Sequence, residues 1–91
     1  METGQRLEQR REARRPADGE VVFRFGDARK EVRARLVDRS ESGLRIEHDS
    51  PDLTSGQLVE FRIGATQQRA ARVIWTRILE GRVESGFLIL P

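Results

Sequence analysis

The sequence contains no cysteine and no tyrosine, and it has a single histidine, His48. Without cysteine the chain can form neither disulfides nor thiolate metal sites, and it has no cysteine nucleophile. One histidine cannot supply a histidine metal cluster. We therefore expect no metal site, no cofactor and no enzymatic activity.

Long apolar runs are also missing. No stretch approaches the roughly 20 apolar residues of a membrane span, and the first six residues lack the apolar region of a secretory signal. With 91 residues the chain has room for one core only. We expect a single soluble domain in the cytoplasm, with no affinity for membranes.

Lysine is scarce, and arginine takes its place. Of 17 basic residues only Lys30 is a lysine, which leaves 17 − 1 = 16 arginines against 15 acidic residues. The planar guanidinium presents a fork of donors that matches phosphate oxygens and the Hoogsteen edge of guanine. A GC-rich genome would give the same enrichment, so only the positions of the arginines can indicate whether they bind a ligand.

The first 15 residues form an arginine-rich segment with little to bury. Met1 and Leu7 are its only sizeable apolar side chains. Its arginines are Arg6, Arg10, Arg11, Arg14 and Arg15. We predict a flexible arm over residues 1–15, because conformational entropy keeps such a segment mobile, and a folded domain over 16–91. A merely solubilising tail is the alternative.

After Pro16, apolar and polar residues alternate with the period of two that is typical of half-buried strands. In the longest run Trp75 shares a face with Ala71 and Val73. Polar breaks lie at 38–43 and 48–56. The runs fall at about 21–25, 32–37, 44–47, 58–63, 68–79 and 82–90. Six short strands at regular spacing predict an all-β protein, a six-stranded antiparallel β-barrel.

Two motifs stand out. The pattern R-x-x-x-R occurs five times, Arg10/Arg14 among them, and is weak by itself. The pattern D-x-S-x-x-G occurs once, as Asp38, Ser40 and Gly43. Asp and Ser side chains hold turns by bonding to nearby backbone, and Gly permits positive φ or close approach of a ligand. The loop would also serve as a turn without any ligand.

An arginine pair followed by this loop in a six-stranded barrel resembles the PilZ family, receptors for the bacterial second messenger cyclic di-GMP. The resemblance covers about residues 9–90. In that family a proline commonly stands two places after the second arginine, and the first barrel valine about seven places after it. Arg14 has Pro16 and Val21 at these offsets. The resemblance therefore selects Arg10 and Arg14, whereas Arg11/Arg15 is one place out of register.

The resemblance implies a split barrel that binds cyclic di-GMP through Arg10, Arg14, Asp38, Ser40 and Gly43. It leaves Arg11, Arg15, Arg45 and Trp75 as auxiliary ligand-binding candidates. Arginine can fork onto a phosphate or a guanine edge, and a carboxylate such as that of Asp38 can accept from guanine N1–H and N2–H. For Trp75 a core or barrel-rim position is the alternative. We expect His48 to be exposed in a loop.

The resulting hypothesis is a receptor that relays cyclic di-GMP to an unidentified downstream protein by rearranging its N-terminal arm. A small basic barrel that binds single-stranded nucleic acid is a rival. The absence of net positive charge on the barrel body argues against that rival, and we do not expect a nucleic-acid partner. A PilZ-like adaptor that binds only protein is the third possibility.

Overall fold

The computed structural model of the protein describes residues 13–91, so Arg10 and Arg11 lie outside the described residues. The regular elements of residues 13–91 are all strands, joined by turns and loops, and none of these residues belongs to a helix able to cross a bilayer. The strands are β1 (Arg15–Pro16), β2 (Glu20–Phe25), β3 (Lys30–Arg39), β4 (Gly43–His48), β5 (Leu58–Ile63), β6 (Arg69–Leu79) and β7 (Arg82–Ile89).

The strands pair antiparallel in the order β1-β3-β2-β5-β6-β7-β4. A further pairing between β3 and β4 closes β2 to β7 into a six-stranded barrel. The short β1 lies beside the end of β3, where Pro16 is opposite Asp38. The predicted six-stranded antiparallel barrel is confirmed, with one extra strand that the sequence pattern did not reveal.

Side chains that alternate along the strands fill the barrel interior. Phe23 and Phe87 are fully buried and meet edge to face, with ring centroids 5.4 Å apart. Leu53, from the loop between β4 and β5, is 1% exposed and belongs to the same cluster. Burying a side chain of this size stabilises the fold by about 1.5–3 kcal/mol. The interior is thus a packed core, and any polar site has to lie on the outside or at an end.

A bulge at Val37 decides where Asp38 points. Leu36 is opposite Ile46, but the next pair is Asp38 and Arg45, so Val37 is the extra residue. Strict alternation would have placed Asp38 on the side of Leu36, which faces the core. An inserted residue turns the following side chains to the other face. The predicted break at 38–43 is wrong at its start and end, because Asp38 belongs to β3 and Gly43 to β4.

A second bulge lies at Ile74 in β6. Val73 is opposite Phe87, and the next pair is Trp75 and Gly86. Trp75 therefore leaves the core-facing side on which Val73 lies, and the prediction that both share a face is wrong. The cause is again a single inserted residue, which the alternation of apolar and polar residues does not mark.

His48 is buried, contrary to the prediction of an exposed loop residue. It is the last residue of β4 and only 6% exposed, on the same side as Ile46. Its Nε2 is 2.8 Å from the Ser85 hydroxyl, and its Nδ1 accepts a hydrogen bond from the Ser50 amide at 3.0 Å. Burial lowers the pKa of this imidazole, because charging it would cost desolvation.

Candidate functional site

A row of four residues crosses the outer face of the barrel on four neighbouring strands. Asp38 in β3 is opposite Arg45 in β4, Arg45 is opposite Gly86 in β7, and Gly86 is opposite Trp75 in β6. Directly opposed residues of antiparallel strands lie on the same side of a sheet. We call Asp38, Arg45, Gly86 and Trp75 the outer row.

Two arginines neutralise the carboxylate of the outer row. Arg14 approaches Asp38 Oδ1 with its Nε at 3.0 Å and its Nη2 at 2.9 Å. On the other side, Arg45 Nη2 donates to Asp38 Oδ2 at 2.5 Å. The Asp38 side chain is 12% exposed, whereas that of Arg14 is 49% exposed. Two cations around one anion leave this group with one excess positive charge.

Arg45 also carries an unsatisfied donor. Among the buried side-chain nitrogen and oxygen atoms of residues 13–91, its Nε is the one that has no hydrogen-bond partner. A buried donor without an acceptor costs roughly 1–3 kcal/mol. An acceptor could reach this buried nitrogen only if the Arg45 side chain moved, and it would then recover that cost.

The indole of Trp75 packs against the backbone of Gly86. A Cβ added at Gly86 would lie 2.4 Å from the indole Nε1, so no larger residue fits without moving the ring. The Arg77 guanidinium carbon lies 5.1 Å from the centre of the same ring, within the range of a cation–π contact. Arg77 is in turn paired with the buried Glu84 at 3.0 Å. These contacts fix the indole beside the arginines.

The neighbouring charges are paired among themselves. Glu47 Oε1 is 2.9 Å from Arg35 Nη2, and Glu47 Oε2 is 2.6 Å from Arg82 Nε. The hydrogen bond from Arg35 and the nearby charge of Arg82 hold the pKa of the Glu47 carboxyl below its ordinary value. Together with the Arg77–Glu84 pair, this network holds three arginines against two carboxylates, so it also carries one excess positive charge.

The outer row forms one wall of a cavity of about 280 Å³. Its lining consists of Arg14, Asp38, Leu44, Arg45, Ile74, Trp75, Gly86 and Phe87. The cavity thus combines a flat aromatic surface, a carboxylate that accepts hydrogen bonds and two guanidinium groups that bind anions. These groups match a planar heterocycle that also carries a negative charge.

A family model for the PilZ domain matches residues 8–90 of the chain. The chain belongs to the PilZ family. It is similar to the solved structure of the PilZ domain with c-di-GMP of YcgR from Escherichia coli, with a TM-score of 0.72 and 18% identity. That match covers 90% of this chain and 78% of the other. A comparison with curated proteins found no significant match.

The D-x-S-x-x-G loop of this PilZ domain is compact. The Ser40 amide donates to the Gly43 carbonyl at 2.8 Å, and Ser40 is buried. Gly43 does not have the positive φ that the sequence suggested as one of two reasons for glycine. Close approach is the reason, because a Cβ there would lie 3.0 Å from the Phe87 carbonyl oxygen and 3.7 Å from Arg14 Nη1.

Most of the candidate residues come together in this PilZ domain. The cavity contains Arg14, Asp38, Arg45 and Trp75, and the loop with Ser40 and Gly43 adjoins it.

Arg15 is exposed in β1 opposite Arg39 and does not line the cavity. Sequence reasoning missed Gly86 and Arg77. The signal for Gly86 was available, because a glycine inside a strand often marks a close approach.

Proposed function

We propose that this PilZ domain is a bacterial receptor that binds cyclic di-GMP at the outer row and relays its presence to a downstream protein. The observation that carries the proposal is the meeting of Arg14, Asp38, Arg45 and Trp75 in one cavity. Family membership supports it, as does the similarity to a PilZ domain solved with c-di-GMP. The proposed role is binding, without catalysis or a cofactor.

In this proposal Asp38 recognises guanine. Its two oxygens offer about four lone pairs, and Arg14 and Arg45 occupy one oxygen each. The remaining lone pairs can accept from N1–H and N2–H of a guanine. Adenine presents no such pair of donors on its Watson–Crick edge, so Asp38 would select cyclic di-GMP over cyclic di-AMP.

The arginines bind the phosphates and the acceptor edges of the bases. Because Arg14 is half exposed, its guanidinium can turn from Asp38 to the ligand at a small cost in free energy. Arg10 would act with it from the arm, and Arg11 and Arg15 would add auxiliary positive charge. Arg45 offers the exposed part of its guanidinium from the side of the barrel.

The remaining candidates shape the site. Trp75 supplies a flat surface on which a base can stack. Ser40 can exchange hydrogen bonds with the same base or with the loop backbone. Gly43 keeps the space beside Arg14 free of a side chain.

The arm converts binding into a signal in this proposal. The arm before Arg14 would be mobile without ligand, and it would order against the barrel near Asp38 when Arg10 binds the phosphates together with Arg14, which already contacts Asp38. A protein partner in the bacterial cytoplasm would bind the surface that the ordered arm forms. Amide relaxation of residues 5–16 with and without ligand tests this step, and an arm equally mobile in both states would contradict it.

Calorimetric titration with cyclic di-GMP, cyclic di-AMP and single-stranded DNA at matched salt tests the proposal. We expect saturable binding of cyclic di-GMP and at least about tenfold weaker binding of cyclic di-AMP. Stronger binding of DNA than of cyclic di-GMP would favour a nucleic-acid-binding barrel. Absence of binding to all three would favour an adaptor that binds only protein.

A further inference from the structure

Two arginines occupy core-facing positions at one end of the barrel. Arg39, the last residue of β3, is opposite Leu44, which is fully buried. Arg69, the first residue of β6, is opposite Phe61, which is 3% exposed. Since opposed residues share a side of the sheet, both arginines stand on the inward side, where apolar residues are the rule.

Neither of these two side chains has a hydrogen bond or ion pair with any of residues 13–91. Most other described arginines do have a carboxylate partner. These paired arginines are Arg14, Arg24, Arg29, Arg33, Arg35, Arg45, Arg77 and Arg82. Arg39 and Arg69 at this barrel end are therefore exceptions, because neither forms an ion pair with the described residues.

The two arginines border a cavity of about 210 Å³. Its apolar lining consists of Phe61, Ile63 and Ile89, and Thr66 and Gln67 complete the rim. The other end of the barrel adjoins the loop that contributes Leu53 to the core. At the end with Arg39 and Arg69, apolar side chains form the floor of the open cavity and the two arginines lie at its edge.

We propose that this barrel-end cavity binds a small amphiphilic anion, with a carboxylate or phosphate head between Arg39 and Arg69 and a short apolar tail against Ile63 and Ile89. Guanidinium groups recognise both kinds of head with charge-assisted hydrogen bonds. The tail removes apolar surface of the floor from water. The site is separate from the outer row, since it shares no lining residue with that cavity.

The experiment is a methyl-resolved NMR titration of the full chain with hexanoate, pentyl phosphate and the neutral hexanamide, all with a five-carbon tail, in the absence of any nucleotide. We expect saturable shifts of the Ile63 and Ile89 methyl signals with at least one of the two anions, and none that saturate with hexanamide. The two anions differ only in the head, so their relative affinities tell which head the site prefers.

The variants Arg39→Gln and Arg69→Gln should each weaken binding of the preferred anion about tenfold or more. Arg62→Gln is the matched control, because Arg62 also lacks an ion pair among the described residues but lies outside the cavity. Its affinity should equal that of the wild type. Arg39→Lys, which keeps the charge, should retain part of the affinity and shows that the end still folds. Equal shifts with hexanamide, or equal affinities in Arg39→Gln and Arg62→Gln, would overturn the proposal.

Discussion

Asp38 and Arg45 face each other on the outside of the barrel, with Asp38 Oδ2 and Arg45 Nη2 2.5 Å apart. The contact exists because Val37 is an extra residue in β3, which turns Asp38 away from the core. A carboxylate on the core side would have been buried among apolar residues at high cost. On the outer side it meets two arginines, and the outer row continues from Arg45 through Gly86 to Trp75.

The register of the arginine pair can be tested at Arg14. Arg14→Ala removes the guanidinium that contacts Asp38. In our proposal this guanidinium also binds a phosphate or a base of the ligand. We expect a loss of about 1.5–3 kcal/mol, or more than about tenfold in cyclic di-GMP affinity, by calorimetry. Arg15→Ala is the matched control, since Arg15 is the next residue but lies outside the cavity, and it should cost clearly less. Equal losses would show that the arginines are assigned in the wrong register.

The second prediction concerns base selectivity. Asp38→Ala removes the acceptor for guanine N1–H and N2–H and leaves Arg14 and Arg45 free to attract phosphate. The variant should therefore bind cyclic di-GMP and cyclic di-AMP with similar affinity, measured in parallel titrations. If the variant still prefers cyclic di-GMP, Asp38 serves only to hold the arginines.

The third prediction concerns Gly86 and Trp75. The Cβ of Gly86→Ala would overlap the indole, so the ring has to move, at a cost of about 1–3 kcal/mol in the free energy of unfolding. The fluorescence of Trp75, the only tryptophan, should change, and cyclic di-GMP affinity should fall. Gly43→Ala on the neighbouring strand serves as the control, because no Trp75 atom is near its added Cβ. Its emission should match the wild type, and an unchanged emission of Gly86→Ala would contradict the packing.

The six barrel strands could be predicted from sequence because each has apolar residues at a spacing of two. The D-x-S-x-x-G motif and the offset of Pro16 from Arg14 indicated the candidate site in advance. The bulges at Val37 and Ile74 could not be predicted, since an inserted residue leaves no mark in the pattern and shows only in the register with the partner strand. For that reason the faces of Asp38 and Trp75 required the structure.

The sequence prediction also missed the burial of His48, the role of Gly86 and the strand β1. The sequence contained a signal for the first two. His48 continues the alternation of Leu44 and Ile46, but the turn-forming residues after it suggested a loop. Gly86 lies in the interior of strand β7, and a glycine there is a sign of close packing. The strand β1 has only two residues, too few for any periodicity.

His48 makes stability depend on pH. The buried imidazole has a lowered pKa, so below about pH 6.5 the unfolded chain binds more protons than the folded one. The free energy of unfolding should therefore fall as the pH drops from 7 to 5, with a slope of at most about 1.4 kcal/mol per pH unit. Urea unfolding across this range measures it. His48→Gln should lose most of this slope, and a slope that persists in the variant would assign the effect to another group.

The most direct test of the central claim is a search for intermolecular nuclear Overhauser effects between cyclic di-GMP and the labelled protein. Our proposal predicts contacts from guanine H8 and ribose protons to the indole of Trp75 and the methyl groups of Ile74, which both line the cavity beside the outer row. Contacts confined to other surfaces, such as the barrel end at Ile63 and Ile89, would contradict binding at the outer row.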